Sequence, residues 1–353
     1  PRLDYSGGAS CPSLLLEPLR TNYYTQSEYV STGTRVVLTN NSTTSPEGLD
    51  NAASVVATSV NGSHEVLTSA INIGGTGFRT FSTFAKYNGN HLVLTAAYNS
   101  STWTGCVFDL ENGVVKTPKK SGVQEICIPD IEDYGNGWYR CSITFNIFAS
   151  SYGYTISLTD DVDATLSTWG VDAYLGNNVS GIYLYGNQVE VGSYPTSYIP
   201  TYGVSQTRSV DAINNSSLGL TDCTFFVDFV PRSSVMGLLD FYDSSNARIF
   251  YIAINSIKYL TFNSVQGGTI GDVLGPLTIG DRIKLAFTLN ASTGDVTIFI
   301  NGIKYSTYST TISSLNKIVQ VASFGYYNNT KFNQILTFPT ALTDSECIAL
   351  TTI

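Results

Sequence analysis

The chain has 353 residues, too many for one ordinary sandwich of roughly 100–200 residues and about right for two. Only 13% of residues are charged and the formal net charge is −9, so no basic field exists to gather phosphates. Nucleic acid and anionic membrane are thereby poor partners. With 23 Tyr, 17 Phe, 31 Gly and a single Met, usage favours many short strands joined by polar turns.

No run of about 18 apolar residues is present, so membrane insertion is not expected, and no signal peptide opens the chain. It begins at Pro1 and its one methionine is Met236, which predicts a cut N-terminal edge with an upstream portion missing. Residues 1–22 carry Pro1, Pro12 and Pro18 and the pair Gly7-Gly8 around the run Leu14–Leu16. Proline cannot donate to a strand ladder, so this segment is expected to be an extended linker lying along the first domain.

From 23 to 201, short β runs recur between turn signals every eight to twelve residues or so, the mark of a sandwich. Expected strands include 53–57, 80–86, 91–98, 138–146, 154–158 and 181–190. Cys141, Ile143, Phe145 and Ile147 alternate with Ser142, Thr144 and Asn146, which turns one face to a core. The stretch Tyr194–Tyr202, with two prolines and three tyrosines, is expected to leave this sandwich extended, its rings pinned to the surface it crosses.

A second sandwich is expected over 202–353, with strands at 223–230, 248–254, 282–290 and 296–300. The loop Ala291–Asp295 reads as one hairpin, and Asn301-Gly302 is the strongest hairpin signal in the chain. Thr343 with Glu346 forms a capping box for a single helix over 342–350, with Leu342, Cys347 and Leu350 on one side. The fold class is therefore all-β: two consecutive antiparallel jelly-roll sandwiches and a short C-terminal helix.

Four segments, 1–22 (PRLDYSGGASCPSLLLEPLRTN), 136–145 (NGWYRCSITF), 186–201 (GNQVEVGSYPTSYIPT) and 338–350 (FPTALTDSECIAL), resemble segments of tail-fibre, head-fibre and other virion-surface proteins of tailed bacteriophages. The resemblance spans nearly the whole chain. It implies a carbohydrate-binding-module-like jelly roll (23–201) followed by a concanavalin A-like, laminin-G-like sandwich (202–353), placed on the surface of a virion. It also implies homo-oligomers, trimers above all, with other virion proteins attached through the missing upstream region.

Chemistry is limited by inventory. His64 and His91 are the only histidines and neither lies in a nucleophile motif, so both are read as strand or surface residues and no catalytic residue is assigned. A glycosidase needs two carboxylates across a cleft; Glu125, Glu132, Asp133, Glu190 and the Asp160–Asp163 cluster are the available material. Asp160, Asp161 and Asp163 also suit a structural calcium as hard oxygen ligands, although no EF-hand loop surrounds them; Glu47, Asp50 and Asn51 raise the same question. The six cysteines lack close pairs, which disfavours zinc; buried reduced thiols are expected, with a Cys106–Cys127 bridge left open.

Saccharide recognition needs flat aromatic faces and planar amides without large charge. Trp103 and Trp169 lie in polar, turn-like contexts, and Tyr242, Asn246, Tyr326, Tyr327 and Asn328 lie in aromatic, amide-rich loops; these are the expected glycan contacts. Trp138 and Arg140 are assigned to packing. The functional expectation is a non-enzymatic adhesion module for bacterial or environmental glycans. The alternatives are a decoration protein that cements virion subunits without a ligand, and a polysaccharide depolymerase.

Overall fold

The computed structural model describes residues 2–4, 13–67, 70–124, 126–149, 151–168, 170–171, 173–211, 213–231, 236–243, 245–255, 259–264, 269–312, 314–320 and 330–353. Two compact units emerge, one made of 20–208 and one of 1–19 together with 209–353.

In the 20–208 unit a six-stranded antiparallel sheet runs in the order Cys127–Asp133, Trp138–Ile147, Gly77–Asn88, Gly181–Val191, Ala52–Ala57, Val36–Thr43. The opposing sheet is built on Thr102–Asp109, His91–Asn99, Ser151–Thr159 and His64–Leu67. Period-two alternation places Cys141, Ile143, Phe145 and Ile147 in the core between them, with Phe81, Leu94, Phe108, Tyr154 and Ile156. The other face of the same strand is also covered: Ser142 and Thr144 are buried, and Thr144 Oγ1 lies 2.9 Å from Thr80 Oγ1.

The other unit holds a seven-stranded and a six-stranded sheet around a phenylalanine core. Phe241 stacks on Phe250 at 4.3 Å between centroids and Phe250 on Phe262 at 5.0 Å, while Phe287 meets all three rings edge-on. Asn301 (φ 49°) and Gly302 (φ 78°) both take left-handed backbone between Asp295–Ile300 and Ile303–Ser309, as the two-residue hairpin signal requires. The helix Asp344–Thr351 starts at Thr343, whose Oγ1 accepts from Glu346 N–H at 3.3 Å while Glu346 Oε2 accepts from Thr343 N–H at 2.8 Å. It packs Cys347 against Phe226, Ala286 and Phe299 on the outer side of the seven-stranded sheet.

The N-terminal segment departs from the expected linker. Arg2–Asp4 and Ser13–Leu16 are the first two strands of the seven-stranded sheet, and Leu14, Leu15 and Leu16 pair with Phe332, Lys331 and Thr330. The physical reason is local: Leu14–Leu16 has no proline, so its backbone can join a ladder, while Pro12 and Pro18 fall outside the paired run. Arg20–Asn22 belongs to the other unit, where it pairs with Gln206–Arg208, so the boundaries move from 23 and 201 to 20 and 208.

Deleting residues 1–19 is expected to lower the melting temperature of the C-terminal sandwich by about 2–4 °C for each kcal/mol of ladder and packing lost. Scanning calorimetry of the full and shortened chains measures this. An unchanged transition would mean that the first two strands contribute nothing.

Candidate functional site

The conformation of 194–202 is dictated by Glu190, a carboxylate with no solvent exposure. Its Oε1 accepts from Thr196 N–H and Gln188 Nε2 at 2.8 Å each, its Oε2 accepts from Thr196 Oγ1 at 2.7 Å, and Arg20 Nε stands 3.4 Å from Oε2. Arg140 Nη2 donates to Thr196 O at 2.6 Å, and its guanidinium lies 5.3 Å from the Phe84 ring. Further along, Ile199 N–H donates to Gln188 Oε1 at 2.8 Å, and Ser27 and Thr201 exchange backbone-to-hydroxyl bonds at 3.0 and 2.8 Å. This stitching holds 22–28 beside 196–205.

Their edge bounds a cleft of about 450 Å³ lined by Tyr23, Tyr24, Thr25, Gln26, Ser31, Thr32, Ala70, Ile71, Asn72 and Ser205. None of these residues is Asp, Glu, Lys, Arg or His. Burial pushes the Tyr24 phenol up to about 12, opposed by its bond to Asn187, so the ring stays neutral at physiological pH. The cleft thus offers two half-buried phenol rings and a rim of amides and hydroxyls. Sequence reasoning did not select these residues, because they come from three separated segments; the available signal was Tyr23-Tyr24-Thr25-Gln26, aromatic and amide-bearing, directly after the lead-in.

Beyond the clamp, the hydroxyls of Tyr185, Tyr198 and Tyr202 donate to one oxygen, Glu28 Oε1, at 3.2, 3.4 and 3.1 Å. Burial raises all three phenols, and the negative charge of Glu28 raises them further. Trp138 packs in the same cluster with Phe84 and Tyr185, and its Nε1 donates to Thr44 O at 3.2 Å, a packing role as expected.

Of the expected contacts, Trp103 lies on the strand Thr102–Asp109 rather than in a turn. Its half-buried ring covers Val93, Val107, Leu166 and Val171, so its polar sequence neighbours misrepresent an apolar setting. Trp169, Glu125, Tyr326, Tyr327 and Asn328 lie outside the described residues. Tyr242 and Asn246 are brought together by Lys317, whose Nζ is 5.5 Å from the Tyr242 centroid and 3.4 Å from Asn246 Oδ1. That cation already covers one face of the ring, where a pyranose would stack.

The calcium expectation is corrected. Asp163 Oδ1 pairs with Lys116 Nζ at 2.9 Å, and Asp161 Oδ1 accepts from Asp163 N–H at 2.9 Å, which takes up one oxygen of each. No cluster of three or more metal-ligating side chains occurs among the described residues. Asp50 Oδ1 accepts from Thr44 Oγ1 at 2.6 Å, and Glu47 bonds to Tyr185. Cys106, Cys127, Cys141, Cys223 and Cys347 are free thiols, and burial raises each of them.

Both histidines are buried strand residues. His64 Nδ1 and Nε2 face the carbonyls of Arg35 and Tyr174 at 2.6 and 3.2 Å. His91 Nδ1 is 3.3 Å from Asp109 Oδ1. Burial holds the His91 imidazole below its ordinary range, against the pull of Asp109, Glu111, Asp160 and Asp161. Asp109 is held low despite its own burial, by bonds from the Asn112 side chain and backbone and by His91.

No protein-family model matches the chain, and no curated protein matches it. Among solved structures, it is similar to the native heptameric SAP-like pentraxin of Limulus polyphemus (TM-score 0.32, 11% identity, 40% of this chain and 75% of that one). It is also similar to the IT-sialidase CBM40 of Ruminococcus gnavus bound to α2,3-sialyllactose (TM-score 0.32, 14% identity, 40% and 97%). A third is the K499G mutant of the NanB sialidase of Streptococcus pneumoniae (TM-score 0.30, 14% identity, 40% and 28%).

Replacing Glu190 with Ala is expected to cost about 3–5 kcal/mol, because Arg20 and the Thr196 donors stay buried without their acceptor; denaturant unfolding reads the loss. Acid is expected to weaken the 20–208 unit in two stages. A depressed histidine makes the unfolded state bind more protons as pH falls below 6.5, and Asp109 adds its loss as pH falls below 3.8. In melting curves taken from pH 7.5 to 5, His91→Gln should flatten the first stage; a variant with the parent's slope would refute the assignment.

Proposed function

We propose that this chain is a non-enzymatic adhesion module of a tailed-bacteriophage virion-surface protein, of tail-fibre or head-fibre type, that contacts host or environmental glycans. The observation that carries the reading is the charge-free cleft floored by Tyr23 and Tyr24 and rimmed by Gln26, Thr32, Asn72 and Ser205. A pyranose presents an apolar C–H face and a ring of hydroxyls. Phenol rings take the first and planar amides and hydroxyls the second, with no ion to desolvate. The virion setting is supported by the four sequence segments quoted above. Individually weak sugar contacts gain from repetition, which fits display as a trimer beside other virion proteins.

Trp103 favours a second reading, a decoration protein that cements neighbouring subunits. Its ring is spent on the Val93–Val107–Leu166–Val171 cluster and leaves less aromatic surface for a ligand.

A glycan array probed with the multimerised chain separates the two readings. Adhesion predicts retention of at least one neutral glycan, weakened about tenfold or more by Tyr23→Ala, roughly 1.4 kcal/mol, with the fold intact by circular dichroism. No retention of any saccharide favours cementing. Release of reducing ends from host polysaccharide would overturn the non-enzymatic assignment.

A further inference from the structure

The 1–19/209–353 unit carries a second cleft, of about 460 Å³, whose lining includes Pro276, Leu277, Asp281, Arg282, Ile283 and Asn301. Its polar groups are held from behind. Asp228, only 2% exposed, accepts from Arg282 Nε at 2.9 Å and also bonds Nη2, and Asn333 Nδ2 donates to the same carboxylate at 2.8 Å. The guanidinium is thereby fixed in orientation and neutralised, while its side chain remains 50% exposed. Nη1 has no acceptor among the described residues, so both of its N–H groups are left to donate.

Asn301 is fixed in a similar way. Its Oδ1 accepts from Lys284 N–H at 2.9 Å, which leaves both Nδ2 donors free. Asp281 sits between Gly280 and Arg282 with an exposed carboxylate that can only accept. Leu277 and Ile283 are buried and, with Pro276, give the cleft an apolar wall.

We infer that this cleft is a second binding site, for a neutral saccharide presenting a vicinal diol. A hydroxyl both donates and accepts. Two adjacent hydroxyls are matched by oriented donors on Arg282 and Asn301 and an acceptor on Asp281, with the ring's C–H face against Pro276 and Leu277. Asp228 cancels the charge of Arg282, so the exposed Asp281 leaves the site net negative and selects against acidic sugars. The site rests on its own geometry; the choice of a saccharide among polyols rests on the adhesion reading above.

The test is an NMR titration of the full chain, following Arg Nε and Asn Nδ2 resonances, with methyl glycosides of neutral hexoses and with a hexuronate. Saturable shifts at Arg282 and Asn301 are expected with at least one neutral glycoside and weaker ones with the hexuronate. Asp281→Ala, at an exposed position, and Asn301→Asp, which keeps Oδ1 and removes the donors, should each weaken binding about tenfold or more without moving the melting temperature. Tyr23→Ala should leave this binding intact.

Silence at Arg282 and Asn301 with every neutral glycoside, or tighter binding of the hexuronate, overturns the site. Silence there while Tyr23→Ala abolishes array binding removes this inference alone. Shifts at Arg282 in a chain whose Tyr23 cleft binds nothing remove the first site and leave this one standing.

Discussion

Glu190 is an ion placed where water cannot reach it, and much of the 20–208 unit is arranged around that fact. A buried carboxylate is tolerable only when its lone pairs are filled and a cation is at hand. Gln188 and Thr196 supply the hydrogen bonds and Arg20 the charge, so one residue orders the strand Gly181–Val191, the exit segment and the paired strand at Arg20–Asn22 together. The register of 196–205 beside 22–28 follows, and with it the shape of the tyrosine cleft.

Several of the chain's few charges serve as structural elements. Arg140 lies on Phe84, Arg248 on Tyr251, Lys317 on Tyr242, Lys116 on Asp163 and Arg282 on Asp228. At the tyrosine cleft the groups left to meet a ligand are phenols, amides and hydroxyls. The tyrosine cleft shows that separation: its lining holds no Asp, Glu, Lys, Arg or His although the net charge is −9.

Local signals were legible in the sequence because their physics is local. The alternation at 141–147, the Asn301-Gly302 turn and the Thr343–Glu346 box each specify a structure within a few residues, and each is found. Long-range pairing leaves no such mark. Nothing within Leu14–Leu16 names Phe332 as a neighbour, and the prolines around it suggested a linker. Trp103 shows the same limit: its sequence neighbours are polar, whereas its environment comes from Leu166 and Val171. Tyr23, Ile71 and Ser205 meet only after folding.

The seven-stranded sheet joins strands about three hundred residues apart in sequence, with Ser13–Leu16 hydrogen-bonded to Thr330–Phe338. During synthesis the 20–208 sandwich has all its strands once residue 208 has left the ribosome, and can close on its own. Its partner must wait until Thr330–Phe338 has been made, with Ser13–Leu16 kept without that neighbour for some three hundred residues of translation. A product terminated before Thr330 would leave the edge of Ser13–Leu16 bare, the kind of surface that quality-control proteases and aggregation both recognise.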